Sequence, residues 1–64
     1  MYTKNQEVKI QNIDSGKIVE GKVVDSENNR VWVRLPTQTV TEFKLHERTN
    51  KYLGKMAGLE LILV

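Results

Sequence analysis

Residues 18–35, IVEGKVVDSENNRVWVRL, form two runs of alternating apolar and polar side chains separated by a polar turn, and a period of two commits both runs to β-strand. In the second run Val31, Val33 and Leu35 share one face, while Arg30, Trp32 and Arg34 share the other. The apolar trio must point into a core. In the first run the matching inward set is Val19, Gly21 and Val23, because the opposite parity would bury Glu20 and Lys22 without partners. Val23 is therefore expected opposite Val33. That pairing calls for an odd loop, which the three-residue turn Glu27-Asn28-Asn29 would supply with Asn29 at positive φ. A two-residue turn at Asn28-Asn29 would instead pair Val33 with Val24 and turn the strand over.

The flanking sequence extends the same alternation. Val8 and Ile10 alternate with Glu7, Lys9 and Gln11, and Ile13-Asp14-Ser15-Gly16 reads as a four-residue loop with Gly16 left-handed, which sets Ile10 opposite Val19 and Val8 opposite Gly21. Gly21, inward in mid-strand, marks a bend or a close backbone approach. Pro36-Thr37-Gln38 interrupts the ladder. The chain then resumes with Thr39, Thr41, Phe43 and Leu45 inward, and with Val40, Glu42, Lys44 and His46 outward. A turn is expected near Thr49-Asn50, then a short extension or a single helical turn over residues 52–57. Gly58 ends that stretch, and LELILV forms a last strand with Leu59, Leu61 and Leu63 on one face. The expected core is Val8, Ile10, Val19, Val23, Val31, Val33, Leu35, Phe43, Leu45, Leu59, Leu61 and Leu63.

Five short strands, three consecutive hairpins, a bend glycine and a single turn before the last strand resemble a small SH3-like barrel. The resemblance is one of fold, since no KOW, Tudor or Sm-like motif maps onto particular residues. An OB-like barrel is the alternative, but it calls for a longer chain with a helix between its third and fourth strands. At 64 residues the chain reads as one domain spanning residues 1–64, of a size that buries only about 60% of its unfolded surface. No cysteine is present to add a disulfide or a thiolate–metal site. The only sustained apolar run, residues 59–64, is too short to span a bilayer. A cytoplasmic protein with no membrane partner is expected.

Catalysis finds no foothold in the pattern. His46 is the only histidine, Ser15 and Ser26 fall in expected turns, and the carboxylates are scattered. No glycine-rich loop precedes a helix, so neither an enzyme nor a cofactor or metal site is expected. Ten basic and eight acidic side chains leave a net charge of only +2, so any electrostatic function must reside on one face.

The outward face of the central hairpin is that candidate. Lys22 is expected across from Arg34 and Val24 across from Trp32, with Arg30 beside them and Lys44 on the next strand. Like charges placed opposite each other cost stability unless an acid or an anionic partner offsets them, and Glu20 and Glu42 are the nearby acids. An indole among cations suits base stacking beside a phosphate backbone; the same residue types are also enriched at protein hot spots. The leading expectation is a binding module that takes nucleic acid through Lys22, Arg30, Trp32, Arg34 and Lys44. A protein-interaction module is the alternative, with a small structural or regulatory protein of phage or plasmid type as a third class. The bland reading of Trp32 is cover, packed against Ile62, Val64, Val40 or the Met1-Tyr2 arm. The C-terminal strand, apolar on both faces, also suggests a homodimer formed by strand pairing.

Overall fold

The computed structural model describes residues 2–64, which form six antiparallel strands: β1 (Glu7–Asn12), β2 (Ile18–Glu27), β3 (Arg30–Arg34), β4 (Val40–His46), β5 (Lys51–Met56) and β6 (Leu59–Leu63). Each strand pairs with the next, and β1 pairs with β6 through Ile10↔Leu63 and Asn12↔Leu61, so the sheet closes into an all-β barrel. The closure leaves β6 paired on both sides. A homodimer built on a free edge of that strand therefore has no edge to use. No helix among the described residues is long and apolar enough to cross a membrane.

Six strands replace the expected five because residues 52–57 do not coil into a helical turn. They lie mostly in β5, which pairs with β4 through Phe43↔Gly54 and with β6 through Gly54↔Leu61. Gly54 hid this strand from the alternation pattern, since it is an inward position without a side chain. The Phe43 ring fills the space: a Cβ on Gly54 would lie 2.9 Å from both Phe43 Cδ2 and the Glu42 carbonyl oxygen. The turn into β6 is Ala57-Gly58, both at positive φ, as a two-residue hairpin of type I′ requires. The chain also passes from β3 to β4 through residues 36–38 without the helix that the OB-like alternative called for.

The first hairpin has the expected register, Ile10↔Val19 and Val8↔Gly21, with Gly16 at φ 76°. A Cβ on Gly21 would lie 2.7 Å from Val33 Cγ1 and 2.9 Å from the Arg34 carbonyl oxygen, so the β2 backbone lies close against β3 there, with no room for a side chain. The second hairpin keeps Val23↔Val33 and Lys22↔Arg34 but reaches them differently. Its loop is the two-residue Asn28-Asn29, with Glu27↔Arg30 closing it, and a β-bulge at Val24 supplies the odd residue. Asn29 is not at positive φ. Its carbonyl accepts the Leu45 amide at 2.8 Å, which ties this turn residue to β4. The three-residue loop with a left-handed last residue occurs one hairpin later, at Pro36-Thr37-Gln38. There Gln38 has φ 73° and the Leu35 amide donates to the Thr39 carbonyl at 2.8 Å.

Nine of the twelve expected core residues are buried, with Ile10, Val23, Val31, Val33 and Phe43 at the waist of the barrel. The exceptions are positional. Val19 (45% exposed) and Leu59 (38%) lie at the end that carries the loops at residues 13–16, 36–38 and 57–58, and Leu45 is half-buried near the other end of β4. No described residue lids the first end, and its inward-directed Thr39 is exposed as well; Thr41, one step deeper, is buried with its hydroxyl 3.5 Å from Met56 Sδ. The opposite end is plugged. Tyr2 stacks edge-on to Tyr52 with ring centroids 5.2 Å apart, its carbonyl accepts the Ser26 hydroxyl at 3.0 Å, and Asn5 N–H donates to the Val23 carbonyl at 2.7 Å. Burial, and then the neighbouring Tyr52, raise the Tyr2 hydroxyl pKa above its ordinary value. Ser26 thus belongs to strand β2 rather than to a turn. Of the Met1-Tyr2 arm proposed as cover for Trp32, Tyr2 caps the barrel end and Met1 lies outside the described residues.

Candidate nucleic-acid interface

Strands β2, β3 and β4 carry the candidate side chains, and their pairing orders those chains into three rows across the outer surface. One row runs Glu7, Lys22, Arg34, Val40. The middle row is Asp25, Trp32, Glu42, and the third is Glu27, Arg30, Lys44, Leu53. All five expected site residues therefore share one face. Lys22 stands opposite Arg34 as expected, and Arg30 stands opposite Lys44, so two like-charge pairs bracket the indole along the strand. The interval from Arg30 to Arg34 is about 13 Å, four residues at extended-strand rise.

The bulge changes the neighbour of Trp32. With the expected regular ladder it would have faced Val24; with Val24 bulged out of register, it faces Asp25. Glu42 takes the other side, and its Oε2 lies 3.5 Å from Arg30 Nη1, the only ion pair within 4 Å among the described residues. Lys22, Arg30, Arg34 and Lys44 are all exposed, and Trp32 is half-buried. The proposed covers for the indole do not reach it from the C-terminal strand: Ile62 pairs with Leu53 and Gln11, and the Val64 amide bonds Lys9 on the far side of the barrel. Val40, diagonal to Trp32 on β4, is the one apolar residue of that set beside it.

Acids and bases are equal in number over these rows. Glu7 and Glu27 sit at the outer ends of the cationic rows, and Asp25 and Glu42 flank the indole. The positive potential is thus concentrated at two spots, Lys22–Arg34 and Arg30–Lys44, instead of spread over the face. Asp25 is the residue that the sequence pattern missed at this site. Its signal was the conflict between an Asn-Asn turn, which reads as a two-residue loop, and a core register that demanded an odd count. A bulge is the ordinary resolution of such a conflict.

A second concave feature lies between β4 and β5, where the ladder stops at Phe43↔Gly54 although both strands continue past it. The gap is a groove of about 610 Å³, lined by Ile13, Val40, Leu53, Met56 and Leu61 with Lys44, Lys55 and Glu60 among its charged residues. His46 takes part only in its own turn, with Nδ1 3.4 Å from the Thr49 hydroxyl. Among the described residues no three His, Cys, Asp or Glu side chains converge as metal ligands would. Compared with known protein families, curated proteins and solved structures, the chain matches none.

Proposed function

We propose that this chain is a non-catalytic binding module of the cytoplasm that holds nucleic acid on the β2–β3–β4 face. The observation that carries the reading is the direct opposition of Lys22 to Arg34 and of Arg30 to Lys44 on either side of a half-buried tryptophan. Lys22–Arg34 is unfavourable in the free protein, Arg30–Lys44 is partly offset by Glu42, and both pairs become favourable when a phosphate sits between their members. The indole between them offers a base a stacking surface. Single strands suit this arrangement better than duplex, because duplex bases are already stacked on one another and turned away from the protein surface.

The test is the salt dependence of binding to a single-stranded oligonucleotide pool. Two clasped phosphates predict a log–log slope near −1.4, at about 0.7 per phosphate for single strands. Replacing Lys22, Arg30 and Arg34 together by Gln should flatten that slope and lower affinity while the fold survives. Absence of binding by the wild type at low salt would overturn the reading.

A protein partner is the second reading, and a separate observation favours it. Five of the six large exposed hydrophobic residues, Ile13, Ile18, Val19, Val40 and Leu59, lie toward the unlidded end of the barrel. Clustered apolar exposure of that kind marks contact surfaces. Binding there would show little salt dependence.

A further inference from the structure

Asp25 is an unexpected residue to find beside a base-stacking platform. A carboxylate repels phosphate, and a regular ladder would have put Val24 in its place. The bulge instead sets Asp25 directly across from Trp32 on the outer surface. Its Oδ1 accepts the Ser26 amide at 2.8 Å, which fixes the carboxylate against its own strand, and Oδ2 has no partner among the described residues. Glu42 on the other side of the indole is already engaged by Arg30. Asp25 is therefore the acceptor available to the edge of a base stacked on Trp32.

From this placement we infer that Asp25 is a specificity-determining residue, which makes the face prefer bases that present an exocyclic amine, such as cytosine, over bases that present a carbonyl there, such as uracil. The inference rests on the nucleic-acid reading above. A carboxylate accepts a hydrogen bond from the cytosine N4 amine, the pairing that acidic side chains make with this base in grooves. The O4 of uracil in the same position brings lone pairs against lone pairs. The cationic pairs fix the strand through its phosphates and carry no sequence information. Discrimination then falls to Asp25, the carboxylate beside the stacked base that no cation engages within 4 Å among the described residues.

Two short oligonucleotides of equal length, oligo-deoxycytidine and oligo-deoxyuridine, isolate the effect because they share backbone, sugar and ring size. Binding is followed by the fluorescence of Trp32, the only tryptophan in the chain. The wild type should bind oligo-deoxycytidine about tenfold more tightly, the low end of what one good base contact contributes. Asp25→Ala should weaken oligo-deoxycytidine binding and slightly strengthen oligo-deoxyuridine binding, since a charge repelling phosphate is gone. Retained oligo-deoxyuridine binding shows that the variant is folded. Equal wild-type affinities, or a preference that survives Asp25→Ala, would overturn the role of Asp25 while leaving nucleic-acid binding in place. No binding to either strand would overturn the underlying reading.

Discussion

Two surfaces of this barrel stand out for opposite reasons. The β2–β3–β4 face is charged, with cations in opposed pairs around Trp32, whereas the unlidded end is aliphatic and carries Ile13, Val19 and Leu59 in the open. Both depart from what a small domain needs for its own stability. Opposed like charges cost the fold energy, and exposed aliphatic side chains forgo burial worth about 25 cal/mol per Å². The difference lies in what each could recognise. On the proposed reading, binding at the first surface weakens with salt, whereas binding at the second does not.

The waist beneath them carries the largest expected effect. Phe43 is fully buried between Val31 and Gly54. Phe43→Ala should cost about 3–5 kcal/mol, enough to unfold so small a domain and to abolish both surfaces together. A thermal melt with an unchanged midpoint would show that the barrel does not close around this ring.

Arg34→Glu should separate stability from binding. It converts the opposed Lys22–Arg34 pair into an attractive one, so the melting temperature should rise, by at most about 1 kcal/mol of stability, while oligonucleotide affinity falls. If stability and affinity drop together, the two cations are not a strained pair awaiting an anion. The corresponding change at the other surface should have little effect: Leu59→Ala removes a partly exposed side chain from an open end, so its cost should stay below about 1 kcal/mol, far less than for a buried leucine. Oligonucleotide binding should be unaffected. A marked loss of affinity in Leu59→Ala would mean that nucleic acid meets the aliphatic end after all.

The smallest effect is expected at the hairpin loop that orients the charged face. Because Asn29 is not at positive φ, Asn29→Val should change stability by less than about 0.5 kcal/mol. A large destabilisation in a denaturant titration would restore a left-handed Asn29, and with it a three-residue loop that puts Val24 opposite Trp32.

Much of this architecture was legible in the sequence because a period of two is hard to mistake when one parity buries Val31, Val33 and Leu35 and the other buries Glu20 and Lys22. The pairings Val8↔Gly21, Val23↔Val33 and Lys22↔Arg34 follow from that constraint together with the turn positions, although the odd residue of the second hairpin lies in the strand and not in its loop. What escaped was carried by features that parity does not see. Gly54 concealed β5 because an inward glycine leaves no apolar mark. The bulge at Val24 shifted the odd residue from the loop into the strand, which preserved the core and replaced Val24 by Asp25 at the site. Val19 and Leu59 point inward by register yet remain exposed, since burial at a barrel end depends on a lid, and Tyr2 supplies one at the opposite end only.

Trp32 allows the central claim to be tested without any substitution. Acrylamide quenching of its fluorescence should report a partly accessible indole in the free protein and strong protection once a single-stranded oligonucleotide is added at low salt, with the protection lost as salt is raised. Quenching that is unchanged by saturating oligonucleotide would contradict a nucleic-acid contact at this face.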